Sequence, residues 1–146
     1  MADVTVVSGV NLRNEVRYGE GQSFNTDEPV SIGGDGTGAD PYTLLLAALG
    51  SCISMTLTLY ARRKNWPLEG VTVHLSQRRV HAADCAECET RTDGFVQRIE
   101  RSVQLEGAQL TAEQHARLLD IAHKCPVHKT LTSEIVIVDA EEKSAS

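Results

Sequence analysis

The stretch Gly38-Ala39-Asp40-Pro41-Tyr42-Thr43-Leu44-Leu45-Leu46-Ala47-Ala48-Leu49-Gly50-Ser51-Cys52 opens the longest helical pattern in the chain. Asp40 offers an acceptor side chain for an N-cap, and Pro41 takes the first helical position, where its missing N–H costs nothing. Leu44 to Leu49 is apolar on every face, which predicts burial all round. After Cys52 the residues Ser54, Thr56 and Thr58 interleave with Ile53, Met55, Leu57 and Leu59. The pattern ends in Arg62-Arg63-Lys64, a charge that suits a helix C-terminus, and Trp66-Pro67 stops it near Asn65.

Upstream, the chain reads as short strands and turns. Val4 to Val7 is β-rich and is broken by Ser8-Gly9, and Glu15 to Tyr18 can pair with Gln22 to Asn25 across Gly19-Glu20-Gly21. Ser31 to Gly38 is a loop with four glycines, read as a connection that needs positive φ; it lacks the lysine of a phosphate loop. Downstream, Val71, Val73 and Leu75 alternate with polar residues, as in a strand with one buried face. A polar connection, His81 to Gly94, leads to a second strand in which Phe95, Ile99, Val103 and Leu105 share one parity. Thr111 and Gln114 have capping-box spacing, with helical spacing from His115 through Leu118, Leu119 and Ala122 to Cys125-Pro126. A short helix can restart at Pro126, and Ile135 to Val138 reads as a last strand before a fraying tail from about residue 140. The expected class is α+β, in a single domain over residues 1–146.

Composition excludes more than it identifies. With 14 basic against 20 acidic residues the net charge is −6, which argues against a nucleic-acid partner. The N-terminus shows no secretory pattern, and the longest apolar run, Leu44 to Leu49, is far short of the ~20 residues that span a bilayer. The reading is therefore a cytoplasmic protein with no membrane partner. Four cysteines in such a chain point to metal binding or redox chemistry before a disulfide framework.

Each cysteine has an inert reading beside a chemical one. Cys52 lies mid-helix, where a small core hydrophobe is the simple reading and a reactive thiol needs a cation from elsewhere. Cys125 stands before Pro126, where free N–H groups of a new helix can stabilise a thiolate; it can equally close the apolar face of the preceding helix. Cys85 and Cys88 form a C-x-x-C that suits a dithiol couple, two zinc ligands with His81 as a third, or incidental loop thiols. Of these, an auxiliary redox role is preferred over an inert one, with metal third. No cofactor motif competes: there is no Walker loop, dinucleotide fingerprint or nucleophile elbow.

The segment Gly38 to Cys52 resembles the central-helix motif of the OsmC and organic hydroperoxide resistance family, and His123-Lys124-Cys125-Pro126-Val127-His128-Lys129-Thr130-Leu131 resembles its second cysteine motif. The resemblance implies antiparallel sheets packed around a long central helix in an intertwined homodimer. It also implies a stress-response antioxidant activity: Cys52 attacks an organic hydroperoxide, or hydrogen peroxide, and becomes a sulfenic acid. Cys125 then closes a Cys52–Cys125 disulfide that a cellular dithiol reopens. Catalysis would need no cofactor or bound metal.

One departure from the family pattern stands out. Ten residues before the reactive cysteine, where hydroperoxide reductases carry a glutamate paired with an arginine, this chain has Tyr42. Arg13 is the first candidate for the thiolate-stabilising cation, Arg17 the second, and Glu28 the candidate replacement carboxylate. The departure leaves a rival reading, a redox-responsive or thiol-carrier protein of the same fold with negligible turnover.

Overall fold

The structure is a computed structural model describing residues 2–88 and 93–140. Part of the polar connection and the tail expected to fray beyond residue 140 lie outside the described residues. The chain divides into two compact units. The first is drawn from residues up to Ala48 and from His74–Ser102, the second from Leu49–Val73 and from Val103 onward.

In the first unit, β1 (Val4–Ser8), β2 (Asn14–Tyr18) and β3 (Gln22–Thr26) form an antiparallel sheet in that order. The register sets Val6 and Phe24 opposite Val16, which is buried. Gly19 and Gly21 make the expected tight turn with φ of 56° and 73°. After β3 the chain enters the glycine-rich loop, which a buried carboxylate organises. Asp27 is 2 % exposed, and its oxygens accept from the Glu28 N–H at 2.8 Å, the Thr37 N–H at 3.1 Å and the Thr37 hydroxyl at 2.6 Å. Those bonds hold its carboxyl below the usual range, the Thr37 hydroxyl most of all. Two glycines are required by contact: a Cβ at Gly34 would lie 1.9 Å from the Glu28 carbonyl oxygen, and one at Gly38 2.5 Å from that of Asn25.

Helix α1 (Pro41–Lys64) begins as expected, with the Asp40 side chain accepting from the Thr43 N–H at 3.1 Å. Its Leu49, Ile53, Leu57 and Ala61 recur at every fourth position and are buried; in the second unit they share the core with Leu118, Ile121, Ala122 and Cys125. Helix α2 (Ala112–Ile121) carries the capping box in full, with Thr111 and Gln114 satisfying each other's backbone N–H. A 3-10 turn, Ala122–Lys124, leads to α3 (Pro126–Leu131), for which Cys125 is the N-cap. Strands β4 (Gly70–His81) and β5 (Phe95–Glu106) form a hairpin tied at its ends by Glu69 N–H to Glu106 O and Ala82 N–H to Gly94 O, both 2.8 Å.

The α+β class stands, while four local expectations need correction. Leu44 to Leu49 is not buried all round: Leu45, Ala47 and Ala48 are exposed, because the single chain covers one side of the helix only. Ile135 to Val138 belongs to no strand and is exposed, Ile137 to 90 %, since no neighbouring edge among the described residues takes its backbone hydrogen bonds. Phe95 lies on the exposed side of β5. The alternation slips at Arg98–Ile99, where Arg98 is drawn inward by ion pairs to Glu87 and Glu100. Finally, α1 is by length and composition apolar enough to cross a membrane, although its longest unbroken apolar run is short. Its small, weakly polar Ser and Thr residues interrupt the run without lowering the mean hydropathy much.

Candidate functional site

The second unit brings Cys52 and Cys125 together from chain positions 73 residues apart. Cys52 precedes Ile53, a member of the buried stripe of α1, so it sits at the stripe's edge and is half-buried; Cys125 is fully buried. Both are free thiols. The first turn of α3 serves them in succession. The Val127 N–H donates to Cys52 Sγ at 3.5 Å, and the His128 N–H donates to Cys125 Sγ at 3.3 Å.

This geometry changes the account of Cys52. Mid-helix in α1, it has no free N–H from its own helix, yet it takes one from the start of another. That donor lies 75 residues away in the chain, so no local pattern reveals it. Burial pushes the Cys125 thiol up, and hydrogen bonding to Cys52 and the charge on that neighbour push the same way. The N–H groups of His128 and Val127 oppose this without prevailing. The pair is therefore asymmetric: a more accessible sulfur beside a buried one that keeps its proton.

The other candidates belong to the first unit. Arg13 Nε donates to the Thr37 hydroxyl at 3.1 Å, joining the Asp27 network. Arg17 pairs with Glu15 at 2.6 Å on the open surface of β2. Glu28 contributes its backbone to the loop, its N–H to Asp27 and its carbonyl to the Gly36 N–H. Sequence reasoning passed over Asp27, the carboxylate that is in fact buried. Its signal was its place just before Glu28-Pro29 and a glycine loop, where a side-chain acceptor can gather loose N–H groups. Tyr42 stands on the first turn of α1 and is 52 % exposed.

Cys85 and Cys88 are joined as a disulfide with Cα atoms 5.4 Å apart. In that form they offer no thiolates to zinc, and His81 Nδ1 accepts from the Ala83 N–H instead. Among the described residues no group of three His, Cys, Asp or Glu side chains is placed to hold a metal ion.

Comparison with known proteins follows the same lines. Residues 34–138 match the family model described as OsmC-like protein. No curated protein matches the chain. Among solved structures, an OsmC-like protein of Mycoplasma pneumoniae superposes with a TM-score of 0.69 at 19% identity, covering 90% of this chain and 86% of its own. An organic hydroperoxide resistance protein OsmC of Legionella pneumophila gives 0.63 at 19%, with coverage of 90% and 89%. The organic hydroperoxide resistance protein OhrB of Bacillus subtilis gives 0.58 at 20%, with 90% of both chains covered.

Proposed function

The chain belongs to the OsmC-like protein family, and from that premise we propose that it is a cytoplasmic, thiol-dependent hydroperoxide reductase working through Cys52 and Cys125. The observation that carries this reading is the pair of free sulfurs served by consecutive N–H groups of α3. Cys52, the more accessible sulfur, attacks as thiolate. One peroxide oxygen passes to it as sulfenic acid, and the other leaves as the alcohol after taking a proton. The Cys125 thiol then condenses with the sulfenic acid, releasing water and closing the disulfide. A dithiol reopens it by exchange, is itself oxidised, and returns both thiols. Full burial of Cys125 suits a resolving thiol that should not meet peroxide itself. Arg13 is the first candidate to hold the thiolate, ahead of Arg17, and Glu28 the candidate carboxylate; no metal or cofactor is needed.

The reading includes an intertwined homodimer with α1 at its centre. It is supported by apolar surface that the single chain leaves open, on α1 at Leu45, Met55 and Leu59 and along Ile135–Val138. The same family membership favours a soluble protein, with the apolar side of α1 covered by protein rather than lipid.

The test is mass measurement after one equivalent of an alkyl hydroperoxide. A loss of two hydrogen atoms, mapped to a Cys52–Cys125 crosslink, is expected; an unchanged pair would overturn the reading. Tyr42, in place of the glutamate that hydroperoxide reductases carry, favours one rival: a redox-responsive or thiol-carrier protein that forms the same disulfide without sustained turnover. Steady-state peroxide consumption with a supplied dithiol separates the two, since only the enzyme consumes peroxide in excess of its own concentration.

A further inference from the structure

The connection that follows β4 begins with a closed turn. His81 caps a 3-10 turn, Ala82–Asp84, and Ala82 is buried beneath it. The turn is closed by Cys85 N–H to Ala82 O at 3.2 Å and continued by Cys88 N–H to Cys85 O at 3.4 Å. This ordered backbone presents the Cys85–Cys88 disulfide half-buried, within reach of small molecules.

Beside it lies a cleft of about 510 Å³ lined by Arg78, Arg79, His81, Asp84, Glu87 and Arg98, among other residues. Its charges are not equally committed. Arg98 bonds Glu87 at 2.7 Å and Glu100 at 2.9 Å, and Arg78 bonds Glu100 at 3.2 Å. Glu87, whose Oε2 is 4.0 Å from Cys85 Sγ, is thereby neutralised and does not repel an anion approaching the sulfurs. Arg79 lies over the Phe95 ring at 4.6 Å, has no carboxylate within ion-pair distance among the described residues, and keeps its charge for the cleft. Arg79 is exposed where the alternation of β4 slips in turn, at Arg78–Arg79, and Phe95 lies on the exposed side of β5.

We propose that Cys85–Cys88 is a second thiol–disulfide exchange site, opened by small carboxylate-bearing thiols that the arginine cleft attracts. A thiolate bonds to one sulfur of the pair and expels the other, which takes a proton. A second thiolate attacks the small molecule's own sulfur in the mixed disulfide, giving the oxidised small disulfide and two cysteine thiols. Because the two cysteines stand three positions apart on a hydrogen-bonded turn, an oxidant or a disulfide exchange partner can close them again. The site thus reports the state of an acidic thiol pool, independently of any peroxide chemistry at Cys52.

The probes are glutathione, which carries two carboxylates, and its diethyl ester, which carries none. Each is added in excess to the wild-type protein at matched thiolate concentration. Opening is followed by alkylation and mass analysis of the proteolytic peptide that holds Cys85 and Cys88, so Cys52 and Cys125 do not enter the readout. Glutathione should open the disulfide roughly threefold faster than the ester, below full electrostatic steering because Asp84 in the same cleft offsets part of the Arg79 charge. The advantage should vanish in molar salt. Arg79→Gln should bring the two probes to parity, and Arg79→Lys should retain the difference. Equal rates on wild type, no opening by glutathione, or free alkylation of both cysteines before any reductant would each overturn the proposal.

Discussion

Cys52 and Cys125 differ by environment rather than by kind, and the proposed roles follow that difference. Cys52→Ser should abolish peroxide consumption, since a hydroxyl is not appreciably ionised at neutral pH. Cys125→Ser should allow one turnover and stop at a sulfenic acid on Cys52 that a dimedone-type probe traps. Full activity in Cys52→Ser would remove the peroxidase reading. Asp27 supports a second residue-scale prediction. Its carboxyl is held below the ordinary value of 3.8, chiefly by the Thr37 hydroxyl. A group depressed on folding contributes stability above its unfolded pKa and loses that contribution as pH falls through its folded one. Asp27→Asn should therefore be less stable than wild type at neutral pH, and the gap should narrow as pH drops below the ordinary carboxylate range. Parallel denaturation curves across that range, with a constant gap, would contradict this.

At the scale of elements, the lead-in to α1 depends on close backbone approach, and α2 depends on its cap. Gly34→Ala must push back the Glu28 carbonyl, 1.9 Å from the new carbon, and so disturb the turn that Asp27 organises. It should lower the melting temperature, read by thermal denaturation; an unchanged melting temperature would mean that the turn relaxes at no cost. Thr111→Ala removes the acceptor for the Gln114 N–H and should cost about 1 kcal/mol, read as a shift in the urea midpoint at constant slope. A much larger loss would mean that the cap also orders α3.

For the whole molecule, the open apolar positions set the prediction. Met55 and Leu59 on α1 and the run Ile135–Val138 are apolar and exposed in the single chain, and the proposed homodimer would cover them. Sedimentation should give a homodimer. Ile137→Glu, at a position 90 % exposed in the single chain, should leave that chain folded yet weaken its self-association. A monomer at all concentrations in the wild type would refute the dimer, whereas an unchanged dimer in the variant would move the interface away from this run.

Local residue chemistry was sufficient for the elements themselves. Asp40-Pro41 starts α1, Gly19 and Gly21 turn β2 into β3, Thr111 and Gln114 box the start of α2, and Cys125 caps α3, each through bonds between near neighbours in the chain. Motifs of that kind are read from short windows, and so were the two cysteines worth attention. What the fold alone decided involves partners distant in sequence. The Val127 N–H reaches Cys52 across 75 residues, Thr37 completes Asp27 across ten, and Arg98 leaves its expected alternation to meet Glu87. The burial of α1 depends equally on what lies against it, which explains why an all-apolar stretch at Leu44 to Leu49 is half open in one chain. A window of sequence reports what a residue prefers; which donor, charge or surface it meets is settled only when distant segments are brought into contact, because hydrogen bonds and burial act over a few ångströms whatever the separation along the chain.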